Sequence, residues 1–157
     1  MDTEMDLANN IQTGQDKTQE LIFKLMTEYL GKYLEAKQKA EAAYREQMAI
    51  KGQRPEIPDT ITCQEDYDYY LNLLNAWLGK TKLAEETHEA ARQEALSNYN
   101  MLKKIVPIPN VWFKVQAGEA IYAVGKYWTT WGGGHYEMRV EPWEEKAEKL
   151  EDRTYFP

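Results

Sequence analysis

Residues 98–116 read NYNMLKKIVPIPNVWFKVQ, and the spacing of their apolar side chains changes partway through. Before Pro107, Leu102 and Ile105 continue a rhythm of alternating four and three residues, the spacing of helices packed side by side. After Pro109, Val111, Phe113 and Val115 alternate with Trp112, Lys114 and Gln116, the period-two pattern of a half-buried strand. Two prolines two residues apart remove backbone donors and stop a helix. A chain helical before this stretch and stranded after it belongs to the α+β class, here mostly α.

Working back from Ile105, one stripe runs Tyr70, Leu74, Trp77, Thr81, Ala84, His88, Ala91, Ala95, Asn98, Leu102. Thr62 and Glu65 have the spacing of a capping box, which predicts the second helix over about 63–105. Pro55 and Pro58 make Gln53–Ile61 a loop. Upstream of it, Ile22, Met26, Tyr29, Tyr33, Ala36, Ala40 and Ala43 follow the same rhythm, with Glu20, Lys24, Glu35 and Lys39 on the polar face. Asp16 with Gln19, and Gly52 as a C-terminal cap, bound a first helix over about 16–51. Asn9, Asn10, Thr13 and Gly14 favour turns, although Leu7 and Ile11 could extend the stripe one turn back.

An antiparallel hairpin turning near residue 57 pairs positions whose numbers sum to about 115. Ala36, Ala40 and Ala43 are then expected near Trp77, Leu74 and Leu71, and Ala84, Ala91 and Ala95 near Gly31, Lys24–Leu25 and Leu21. Large groups would meet small ones, as packing without voids requires. Gly31 and Gly79 would mark close approaches, each at roughly 1 kcal/mol of helix stability relative to Ala.

Downstream, Ala117-Gly118 reads as a turn and Glu119–Trp128 as a second strand. Thr129–Gly134, ending in three glycines, reads as a flexible hairpin loop, and Tyr136, Met138 and Val140 alternate in a third strand. The expectation is a small three-stranded antiparallel meander over about 110–141. Pro142 ends it, and Glu144–Asp152 reads as a short charged C-terminal helix with Glu145 four residues before Lys149. The chain thus divides into a polar N-terminal segment (1–15), a helical hairpin (16–106) and an aromatic sheet with its helix (107–157).

Composition narrows the function classes. A net charge of -7 argues against sequence-independent nucleic-acid binding, which depends on neutralising phosphates. No apolar run approaches the roughly 18 residues that span a bilayer. Met1–Asp6 lacks the basic start and apolar core of a signal peptide, so a cytoplasmic location, in a cell or an infected host, is expected. The one cysteine, Cys63, excludes an internal disulfide framework and a four-thiolate zinc site. Cys63 starts the second helix, where the dipole can lower a thiol pKa, but no histidine lies near it in sequence. Gly132-Gly133-Gly134 precedes a strand rather than a helix, so it lacks the helix N-terminus of a phosphate loop. Glu65, Asp66 and Asp68 complement a helix dipole.

Two constellations remain. Glu85 and His88 form Glu-x-x-His on one helical face, and Glu28 falls opposite residue 87 in the pairing above. This pattern resembles the dimeric ferritin-like hairpins. The resemblance implies a carboxylate- and histidine-bound di-iron or other divalent centre, with Glu28, Glu85 and His88 as ligands. The second constellation is the sheet. Four of the five tryptophans lie between Trp112 and Trp143. Trp112, Lys114, Lys126, Trp128, His135, Arg139 and Trp143 are expected on an outer face, the mixture of aromatics and cations that docking surfaces use.

The expected function is a non-enzymatic interaction or assembly module without a cofactor. It would oligomerise through its hairpin and dock a protein partner through the sheet, as a subunit of a virion, secretion or effector assembly does. The alternatives are the metal-binding bundle, and a sheet that binds single-stranded nucleic acid or a small ligand by stacking.

Overall fold

The computed structural model describes residues 3–144 and residue 150, with side chains described from Lys17 onward. Two long helices, α1 (Thr3–Lys51) and α2 (Gln64–Ile105), precede three strands. These are β1 (Phe113–Ala117), β2 (Ala120–Thr129) and β3 (His135–Pro142), paired antiparallel in the order β1-β2-β3. The hairpin and meander expected from the sequence are both present.

The helix starts differ from the expectation. α1 begins at Thr3 rather than Asp16. A nucleated helix gains a hydrogen bond with each added residue, and two asparagines and a glycine at less than about 1 kcal/mol apiece do not stop it. α2 begins at Gln64, and the Tyr67 N–H donates to the Cys63 carbonyl at 3.2 Å, so Cys63 rather than Thr62 occupies the capping position. The helix expected at Glu144–Asp152 lies outside the described residues, apart from Glu144 and Leu150. The short helical turn found after α2 is a 3-10 turn at Trp131–Gly133.

The inward stripes are as expected. Every residue named above for α2, from Tyr70 to Ile105, is buried or half-buried, and so are the seven named for α1. Their pairing is offset. The Trp77 indole N–H donates to the Ile50 carbonyl at 2.8 Å. The Tyr44 ring lies 5.4 Å from His88, and Tyr33 lies 5.8 Å from Tyr99. These numbers sum to about 130, not 115. Ala36, Ala40 and Ala43 therefore do not meet Trp77, Leu74 and Leu71. The cause is the connection. Residues 52–63 do not turn back at once but run beside α2, with the Arg54 guanidinium 5.9 Å from the Trp77 ring. An extended segment rises about 3.3 Å per residue against 1.5 Å in a helix, so a dozen residues reach past the first turns of α2. The glycines also differ from expectation, since a Cβ added at Gly31 or Gly79 would meet nothing within 4 Å.

The chain forms two compact units. One holds Leu34–Leu96, the distal hairpin. Its buried residues are few, two alanines and a glutamine: Ala36, Ala84 and Gln47. Between its helices Ala43 and Ala84 leave an open groove of about 290 Å³, bordered by Glu46, Ile50, Lys80 and Leu83. The buried Gln47 Oε1 has no hydrogen-bond partner.

The other unit holds the chain up to Tyr33 and from Ser97 onward. It contains a true core, with Met26, Leu30 and Leu102 from the helices, Val106 just after α2, and Val115, Val124 and Met138 from one sheet face. Phe23 packs edge-on against Phe113 at 6.2 Å. Tyr99 ties α2 to β3: its hydroxyl accepts from the Met138 N–H at 2.9 Å and donates to the Met138 carbonyl at 3.3 Å. Both groups point away from β2, so Tyr99 also blunts an exposed sheet edge.

Candidate functional site

Register decides which sheet residues share a face. Phe113 pairs with Val124, and Val124 with Val140. Lys126 pairs with Met138, and Trp128 with Tyr136. Alternation then puts Phe113, Val115, Val124, Lys126, Trp128, Tyr136, Met138 and Val140 on the helix-facing side. Trp112, Lys114, His135, Arg139 and Trp143 belong to the opposite side. The seven residues expected on one surface are therefore divided, with Lys126 and Trp128 on the other face. The reason is visible in β2. Ile121, Ala123, Gly125 and Tyr127 alternate with Tyr122, Val124, Lys126 and Trp128, and neither set is distinctly polar.

The outer face is partly covered. The Leu150 N–H donates to the Asn110 carbonyl at 3.1 Å, and the Asn110 N–H donates to the Lys126 carbonyl at 2.7 Å. This brings Leu150, Val111 and Trp112 over Gly125, where a Cβ would lie 2.9 Å from the Val111 oxygen and 3.1 Å from Leu150. Ala123, Tyr127 and Thr129 beneath are buried. Asn110 adopts φ 64°, a left-handed conformation that asparagine tolerates.

Around that cover the outer cations are engaged within the sheet. Arg139 pairs with Glu141 and lies 5.7 Å from the Trp112 ring. Lys114 lies 5.4 Å from the Trp143 ring. Glu137 binds His135 Nε2 through one oxygen at 3.0 Å and accepts from the Tyr127 hydroxyl through the other at 3.1 Å. Such pairing fixes side chains in place, and it lowers the charge available to a phosphate backbone.

The exposed aromatics of the sheet lie at the β2–β3 turn. Trp128 is 44% exposed, Trp131 52% and Tyr136 40%. Trp128 meets Tyr136 edge-on at 5.0 Å, and the Lys126 ammonium lies 5.7 Å from the Tyr136 ring. Lys126 also donates to the Lys103 carbonyl at 3.4 Å; burial, then the charge of Lys103, lowers its pKa. Gly132, Gly133 and Gly134 all take positive φ, and a Cβ at Gly134 would lie 2.8 Å from the Trp128 ring. The triple glycine thus forms a defined turn against which an exposed indole rests. Tyr136 shares the helix-facing side with Met138 yet stays exposed, and Trp131 lies outside the seven residues that the sequence suggests for docking.

Glu28 and the Glu85–His88 pair belong to different units. Glu28 pairs with Lys32 at 3.1 Å, Glu85 with Lys51 at 3.5 Å, and the His88 ring lies tilted against Tyr44. The offset pairing removes the register that placed Glu28 opposite residue 87. No group of three or more His, Cys, Asp or Glu residues able to hold a metal occurs among the described residues. Cys63 is a free, exposed thiol.

The distal hairpin carries a second unanticipated surface. Tyr67, Leu71 and Leu78 are 50%, 40% and 48% exposed, and Tyr69, Leu73 and Leu83 are exposed as well. The steps from Tyr67 to Leu71, Leu74 and Leu78 are four, three and four, a signal present in the sequence beside the inward stripe. No helix among the described residues is long and apolar enough to cross a membrane. Comparison of the chain with known protein families, with characterised proteins and with solved structures finds no match.

Proposed function

We propose that this chain is a non-enzymatic assembly subunit that oligomerises through the distal hairpin and docks a protein partner through the aromatic turn of its sheet. The observation that carries this is the imbalance within Leu34–Leu96. That unit buries only Ala36, Gln47 and Ala84, while Tyr67, Tyr69, Leu71, Leu73, Leu78 and Leu83 remain exposed. A two-helix hairpin buries one stripe per helix, and apolar surface of this extent marks an interaction site. Trp128, Trp131 and Tyr136 supply the large rigid groups that anchor interfaces.

Assembly through the hairpin makes stability depend on protein concentration, because mass action favours the associated folded state. The melting temperature of the hairpin's helical signal should rise across a hundredfold increase in concentration. A melting temperature independent of concentration would contradict the proposal.

A further inference from the structure

We infer that the occupant of the exposed α2 surface is a second copy of this chain, joined antiparallel about a two-fold axis passing between Asn72 and Leu73. This deepens the assembly reading above and depends on it.

The offset pairing creates the opportunity. Trp77 is held at Ile50, next to the last residue of α1, so Gln64–Ala76 has no α1 residues left to pair with. That is about 20 Å of helix at 1.5 Å per residue, accompanied by the connection 52–63. Tyr67, Tyr69, Tyr70, Leu71, Leu73 and Leu74 spread around more than half of its circumference, a wider apolar arc than one packed stripe needs.

One face is ordered for pairing. At about 100° per residue, Tyr67, Leu71, Leu74 and Leu78 form a stripe beside the inward positions Tyr70, Trp77 and Thr81, with the half-buried Leu74 shared between the two. The stripe is its own complement. Rotation about the axis lays Leu71 on Leu74, Leu74 on Leu71, Tyr67 on Leu78 and Leu78 on Tyr67. An isologous interface demands this reciprocity.

Charge selects the direction. Asp68, Asn75 and Lys82 follow at seven-residue intervals along one flank of the stripe. Gln64 lies on the same flank, and its amide donates to Asp68 Oδ1 at 3.0 Å, fixing the carboxylate there. In an antiparallel pair this flank faces its own counterpart. Asp68 of each copy then comes within reach of Lys82 of the other, and the two Asn75 residues lie near each other. In a parallel pair the flank would face Cys63, Tyr70 and Trp77, leaving both charges without a counter-ion. Flanking charges of this kind set orientation in paired helices.

Cross-linking of the full-length chain tests the arrangement. Gln64 and Lys82 fall opposite each other across the axis, so Gln64→Cys and Lys82→Cys are each made with Cys63→Ser. A short bis-maleimide should join the two variants when they are mixed and give little product with either alone. Leu71→Glu and Leu78→Glu should weaken the dimer by about 100-fold or more, since each removes two buried leucines per dimer, with helical circular dichroism unchanged. Efficient cross-linking of either variant alone, or a dimer untouched by both glutamates, would overturn the two-fold pairing while leaving assembly by another surface standing. A wild-type monomer at high micromolar concentration would overturn both.

Discussion

At the scale of single residues, glycines give opposite expectations at different positions. A Cβ at Gly125 would meet the Val111 carbonyl at 2.9 Å, and backbone does not yield as a flexible side chain does. Gly125→Ala should therefore lower stability by about 1–3 kcal/mol, the range for overpacking a filled site. Thermal denaturation checks this, and an unchanged midpoint would show that the segment over β2 is loosely held. Gly31 and Gly79 have open space around the missing Cβ. Gly31→Ala and Gly79→Ala should each raise stability by up to about 1 kcal/mol through helix propensity alone. A loss at either would mean that something approaches the helix there, a partner included.

At the scale of elements, the joint between α2 and β3 depends on Tyr99. Tyr99→Phe leaves the Met138 N–H and carbonyl unpaired beside a buried residue, which should cost about 1–3 kcal/mol in a denaturant titration. Burial holds the Tyr99 hydroxyl above its ordinary pKa of 10.0; the nearby Glu137 and Tyr33 charges add to this, and the Met138 backbone opposes it. The folded state keeps this proton more tightly than the unfolded state does. The contribution is complete below pH 10 and is lost as pH rises above it. The stability gap between wild type and Tyr99→Phe should therefore narrow above pH 10. A constant gap would contradict the assignment.

The elements also show which features were legible in the sequence. The inward stripes, from Tyr70 to Ile105 and from Ile22 to Ala43, follow from periodicity because each helix has one face to bury. The strand ends follow from Gly118, the triple glycine and Pro142. The pairing of the helices was not legible, because it depends on whether residues 52–63 turn or extend, and neither Pro55 nor Pro58 decides between them. The faces of β2 were not legible either. Its two alternating sets are equally apolar, so only the pairing of Lys126 with Met138 and Trp128 with Tyr136 settles them. The stripe Tyr67, Leu71, Leu74, Leu78 is legible in the sequence too, beside the stronger inward one with which it shares Leu74.

At the scale of the whole molecule, the two units differ in how complete they are. The unit containing the sheet closes a core around Met26, Leu30, Leu102, Val115 and Val124. The unit Leu34–Leu96 buries little beyond two alanines and a glutamine, and leaves most of its leucines and tyrosines exposed. Trp131 stands clear of the core, so Trp131→Ala should change the melting temperature little, as surface substitutions generally shift stability by less than about 0.5 kcal/mol. A large drop on that substitution would place Trp131 in the fold rather than in a docking surface. The central claim is that the distal hairpin is completed by association. Its most direct measurement is the molar mass of the full chain by light scattering at high micromolar concentration. We expect at least twice the 18.4 kDa of one chain, falling toward 18.4 kDa on dilution. A mass of 18.4 kDa throughout would contradict the claim.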